Sequence, residues 1–126
     1  MTATPQRPEI VFDLTVLDTP DPQGLADFYA ELLGWEIERS DADWVTIRGS
    51  GGTGIAFQLA PDLVPPTWPE GNIPQQIHID FDVPDLDEAE EFAVSIGARK
   101  VPGDVGDDSF RVFLDPTGHP FCLCLQ

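Results

Sequence analysis

Positive charge is scarce in this chain. Six of its 126 residues are basic, Arg7, Arg39, Arg48, Arg99, Lys100 and Arg111, and they are scattered against 23 acidic residues, for a net charge of −17. Phosphate backbones are bound by clustered cations, so nucleic acid is excluded as a partner. The negative field favours cationic ligands and hinders anionic ones within the range that salt leaves unscreened, and it also serves solubility. Long apolar runs are missing as well: none approaches the ~20 residues of a membrane span, which leaves no membrane role to expect. The opening MTATPQRPEI has no charged-then-apolar leader, so the expectation is a cytoplasmic protein. Cysteine is limited to Cys122 and Cys124 in FCLCL. On a strand such neighbours share a face about 6.5 to 7 Å apart at Cα, the outer limit for a disulfide, and free thiols in a reducing compartment are expected.

What is present is a repeat. The length suits a single domain, 1–126, that buries roughly two thirds of its unfolded surface. Asp21 caps a first helix with Pro22 in its first turn, Leu25, Phe28, Tyr29, Leu32 and Leu33 on one face, and Gly34 as the stop. Asp85, with Glu88 three residues on, opens a second that carries Leu86, Ala89, Phe92, Ala93 and Ile96 and ends at Gly97. An alternating strand precedes each helix, VFDLTVL and then IHIDFDV, and three strand-like segments follow each: WEIER, DWVTIRG and GIAFQLA, then ARKVP, SFRVFLD and HPFCLCL. Landmarks recur at near-constant offsets: 65 from Asp13 to His78, 63 from Gly34 to Gly97, 66 from Trp44 to Phe110 and 64 from Gln58 to Cys122.

The order is therefore βαβββ twice, an α+β fold. Module 1 spans about 9–60, a proline-rich crossing 61–74, and module 2 about 75–126. Neither half has enough strands to stand comfortably alone, so the two are expected to pair into a curved mixed sheet around a concave pocket, with the helices on the convex side. Apolar strand faces go to the helices, and the opposite faces line the hollow. Alternation assigns Phe12, Leu14 and Val16 to the helix side of the first strand. Asp13, Thr15, Gln58, His78, Asp80, Cys122 and Cys124 are then the pocket candidates, joined by Trp68 on the crossing.

GLADFYAELLGWEIE after a first strand, QIHIDFDVPDLDEA and the terminal RVFLDPTGHPFCLCL together resemble the vicinal oxygen chelate superfamily of glyoxalases, bleomycin-resistance proteins and extradiol dioxygenases, in its glyoxalase-like branch. The resemblance covers the chain after residue 9. It implies a divalent-metal site with one ligand from the first and last strands of each module, matching Asp13, Gln58, His78 and Cys122. Only His78 keeps the residue usual there. Losing the closing carboxylate at Cys122 disfavours Mg²⁺ and Mn²⁺, which want oxygen, whereas Zn²⁺ accepts a mixed O, N and S set. The bland alternative for His78 is a histidine bonded to Asp13 or Asp80.

Other features carry less. Turn chemistry accounts for Asp115, Pro116 and Gly118, which makes His119 structural. A nucleophilic cysteine needs a base, and His78 is the one candidate on its face. The run from Gly49 to Gly54 lacks the lysine and the following helix of a phosphate loop, and reads as a flexible hairpin at the pocket rim. Trp44, Phe57, Trp68 and Phe110 offer aromatic surface.

The favoured expectation is a small-molecule-binding protein with a degenerate metal site and no cofactor, sequestering a cationic compound as bleomycin-resistance proteins sequester theirs. The alternative is an enzyme: a lyase, isomerase or dioxygenase using zinc, manganese, nickel or iron to polarise paired substrate oxygens. A third is a non-catalytic interaction module; a homodimer is common in this superfamily and expected here.

Overall fold

The computed structural model describes residues 6–67, 71–103 and 105–126. In chain order the elements are β1 (Thr15–Thr19), α1 (Pro22–Leu33), β2 (Glu36–Asp41), β3 (Trp44–Arg48), β4 (Gly54–Leu59), β5 (Ile79–Val83), α2 (Leu86–Ser95), β6 (Arg99–Lys100), β7 (Gly106–Asp107), β8 (Phe110–Leu114) and β9 (Pro120–Leu125). Both helices start as their sequences predict. The Asp21 carboxylate accepts from the Gly24 amide at 3.0 Å, and Asp85 accepts from Glu88 at 2.9 Å, each satisfying an amide that a helix start leaves unpaired. Gly34 ends α1 at φ 69°, a conformation that penalises any side chain.

Two mixed sheets result. The first runs β1-β4-β3-β2 and the second β5-β9-β8-β6, with the short β7 also pairing β8. Each opens with a parallel pair, β1 with β4 and β5 with β9, because a helix lies between the first strand and its partner's hairpin. The βαβββ duplication therefore holds, apart from the second strand of module 2, the outer neighbour of β8. There Pro102 and Gly103 interrupt the ARKVP region, and the strand is split into β6 and β7. Residues 61–67 and 71–74 of the crossing form no strand, as its prolines predict, and β5 begins at Ile79, two residues later than the IHIDFDV alternation suggested. Trp68 lies outside the described residues.

The two modules share one core. Tyr29 of α1 stacks on Phe57 of the first sheet (ring centroids 5.7 Å apart, planes 17°) and meets Phe121 of the second edge-on at 6.3 Å. Phe28 packs on Phe121 as well, and Phe113 stacks on Phe121 at 5.5 Å. Aromatic pairs at such distances add about 0.5–1.5 kcal/mol each to the burial of their surface. Polar groups stitch the same seam. Tyr29 Oη donates to Asp115 Oδ2 at 2.7 Å, the Thr19 and Thr117 hydroxyls are bonded at 2.7 Å, and His119 Nε2 lies 2.6 Å from the Asp18 carbonyl oxygen.

One alternation differs from the sequence reading. Leu17 and Thr19 are buried against the core, so Thr15 shares the helix-facing side, and Val16 and Asp18 take the opposite face. Phe12, expected to face a helix, is 76% exposed in the segment before β1. Apolar residues stand at both 16 and 17, so the strand's phase is set by which of them the aromatic core accepts. A shift of one residue reverses every side chain.

Candidate functional site

The face of the second sheet turned away from the helices carries the densest chemistry. Register fixes its rows: Asp80 is paired with Cys122 and Cys122 with Val112; one step along, Asp82 is paired with Cys124 and Cys124 with Phe110. Directly paired residues point to the same side, so these six share a face, while Ile79, Phe81, Phe113 and Phe121 project into the core. A cavity of about 450 Å³ opens on it, lined by His78, Asp80, Ser109, Phe110, Cys122, Cys124 and Leu125. Four of the expected site residues, His78, Asp80, Cys122 and Cys124, thus lie together.

Within this groove His78 Nε2 stands 3.3 Å from Asp80 Oδ1, with both side chains about half exposed. That pair contributes little to stability, because water screens it. Burial pushes the Cys122 thiol up to about 12, with the negative charge of Asp80 and a hydrogen bond to it adding to the effect. Cys124 is raised too, by burial and by Asp80 and Asp82. A thiol so disfavoured from ionising is a poor nucleophile at neutral pH, and among the described residues no Lys or Arg lines this groove to reverse it. Both cysteines are free.

The remaining expected residues lie elsewhere. Asp13 precedes β1, is largely exposed, and has Oδ1 3.8 Å from Nη2 of Arg48, which also pairs with Glu38 at 2.9 Å. Thr15 is on the core side of its strand. Gln58 lines a second cavity of about 370 Å³ between β1, β4 and the crossing, together with Val16, Asp18, Val64, Ile73, Ile77 and His119. The family-implied ligand set is accordingly not assembled. The donor atoms that lie within 4.8 Å of one another belong to His78, Asp80 and Cys122, and Asp13 is not among them. Asp18, facing the second cavity, was missed by the sequence reading. Its signal was available, since the helix caps Asp21 and Asp85 are 64 positions apart and that even offset pairs Asp18 with Asp82.

The other candidates resolve simply. His119 Nε2 lies 2.6 Å from the Asp18 carbonyl oxygen, at the edge of the second cavity. The glycine hairpin is closed by Gly49 N–H to the Thr53 carbonyl and by Arg48 to the Gly52 carbonyl, and it lines neither of these cavities. Phe57 is core, and Trp44 donates to Thr46 Oγ1 at 2.8 Å. No described helix is long and apolar enough to cross a membrane.

Against known proteins, the glyoxalase-like domain family matches residues 14–124. Among solved structures, the chain is similar to a glyoxalase/bleomycin resistance protein/dioxygenase family enzyme from Burkholderia phytofirmans PsJN (19% identity, 90% of this chain and 96% of that one, TM-score 0.67). It is also similar to a glyoxalase family protein from Enterococcus faecalis (22% identity, 90% and 96%, TM-score 0.67) and to a genomically encoded fosfomycin resistance protein from Listeria monocytogenes (19% identity, 94% and 94%, TM-score 0.68). No curated protein matches it by sequence.

Proposed function

We propose that this chain, which belongs to the glyoxalase-like family of the vicinal oxygen chelate superfamily, binds a small cationic compound in the groove of its second module. The observation that carries this reading is the placement of Asp80 and two un-ionised thiols beside Phe110 around a cavity of about 450 Å³, in a chain of net charge −17. Pockets for small molecules are mostly apolar with a few directed polar groups, and here the directed group is a carboxylate. The ring of Phe110 offers a cation a second favourable surface. The metal-dependent alternative has less support, because of the four matching residues Asp13 lies beside Arg48 and Gln58 lines the other cavity, away from His78 and Cys122.

The test is a thermal-shift titration in EDTA with benzyltrimethylammonium against benzoate as a matched anion. The cation should raise Tm, more strongly at about 20 mM than at about 200 mM salt because the Debye length shortens, and Asp80→Asn should remove most of the shift. A ligand at a hundred times its Kd stabilises by about 2.7 kcal/mol, well within reach of the measurement. Equal responses to cation and anion at every ionic strength would refute the reading. A homodimer belongs to the same proposal: β1 and β5 each pair on one side only among the described residues, and Ile10, Val11 and Phe12 stand exposed before β1.

A further inference from the structure

We infer that the cation this groove accepts is an onium ion without N–H groups, a quaternary ammonium or a sulfonium, in preference to a protonated amine or a guanidinium. The inference deepens the proposal that the groove binds a small cationic compound, and it rests on that reading.

The groove attracts positive charge but has few places to receive an N–H. Asp80 and Asp82 share the outward face of β5, and the negative charge of both reaches Cys124, adding to burial in raising its thiol. Asp80 is already engaged: His78 Nε2 lies 3.3 Å from its Oδ1, and the Cys122 thiol donates to it. Ser109 Oγ, the other side-chain oxygen that lines the groove among the described residues, is fixed by donating to Asp107 Oδ1 at 2.6 Å. Phe110, Leu125 and the two cysteine sulfurs, which are weak acceptors, form the remaining wall beside His78. A primary ammonium brings three N–H donors and a guanidinium five, and each donor left unpaired where water is displaced costs the desolvation of that group. A trimethylammonium group has none to satisfy. Its methyl groups present the charge to the face of Phe110, the kind of surface that holds quaternary ammonium ions, and pack on un-ionised thiols that behave as small apolar groups. The cavity of the first module has the opposite make-up: Asp18, Gln58 and Gln76 line it with acceptors, and among the described residues no Phe, Tyr or Trp does.

A methylation series at constant charge tests this. Benzylammonium, benzyldimethylammonium and benzyltrimethylammonium each carry one positive charge at neutral pH and differ in having three, one and no N–H groups. Calorimetric titration of the full chain in EDTA should show affinity rising along the series. The trimethyl compound should bind more tightly than the primary amine by more than about tenfold, the loss that one unpaired buried donor brings. Phe110→Leu should abolish most of that ratio and Phe110→Tyr should retain it, whereas Asp80→Asn should weaken all three cations, with circular dichroism confirming the fold of each variant. Benzylammonium binding as tightly as the trimethyl compound, or a ratio that survives Phe110→Leu, would overturn the inference. Three cations that bind equally, and still better than benzoate, refute the onium preference and leave the cationic reading standing. If none binds better than benzoate, the cationic reading itself fails and the preference falls with it.

Discussion

Removing one hydroxyl group should loosen the seam between the modules. Tyr29 belongs to α1 and Asp115 to the turn between β8 and β9, and both are fully buried. Asp115 Oδ1 accepts the amides of Thr117, Gly118 and His119 at 2.9, 2.9 and 3.0 Å, while Oδ2 accepts the Tyr29 hydroxyl at 2.7 Å. In Tyr29→Phe the ring keeps its stacking on Phe57, so the transfer of apolar surface is unchanged and the loss is electrostatic. A hydrogen bond to a charged group contributes about 1.5–3 kcal/mol, and the abandoned oxygen belongs to a fully buried side chain. The expected cost is therefore about 2–3 kcal/mol, a fall in Tm on the order of 10 °C for a domain of this size. Urea unfolding at pH 7 measures it, and pairing Tyr29→Phe with Asp115→Ala in a double-mutant cycle isolates the coupling, expected above about 1 kcal/mol. A loss under about 0.5 kcal/mol for Tyr29→Phe, or additive variants, would refute the argument that this bond holds the modules together.

The pH dependence follows from the same carboxyl group. Burial raises the Asp115 pKa above its ordinary value, against the lowering effects of the Tyr29 hydrogen bond, nearby His119 and the backbone amides. The folded state then holds this proton more tightly than the unfolded state does. Its contribution is full below the ordinary carboxylate pKa and is lost as pH rises through the folded one. Asp115→Asn should flatten the stability profile in the window from the ordinary carboxylate pKa upward, read as the difference from wild type by urea unfolding; identical slopes would count against it. For the dimer, sedimentation velocity at about 10–100 μM should give a species of twice the chain mass, and Phe12→Asp should shift it towards monomer. A monomer throughout would reject it.

Most of the architecture was legible in the sequence because it rests on signals that local chemistry enforces. Capping aspartates, terminating glycines and two matching apolar stripes give the helices, and alternation in IHIDFDV places His78 and Asp80 opposite Phe81 without ambiguity. The first strand was less legible for a definite reason. Its alternating letters begin at Val11, four residues before the ladder, where the chain is exposed and alternation constrains nothing. Once Thr15 pairs with Ile55, the core's demand for Leu17 beside Phe57 decides the phase. Asp13 precedes the ladder altogether, so the alternation that assigned it to the pocket face has no strand to act on.

That phase also decides how the two modules differ in chemistry. At one row of the register the first module pairs Val16, Ala56 and Thr46, and the second pairs Asp80, Cys122 and Val112. At the next row the first module has Asp18, Gln58 and Trp44, and the second Asp82, Cys124 and Phe110. Gln58 therefore corresponds to Cys124, and the position corresponding to Cys122 is Ala56, which has no donor atom. The two modules consequently differ in the polar groups they carry on these rows. The first module contributes the core that fixes the second sheet, and the second module, through the cross-strand pair of Asp80 and Cys122 with His78 beside it, holds the groups that a cation would meet.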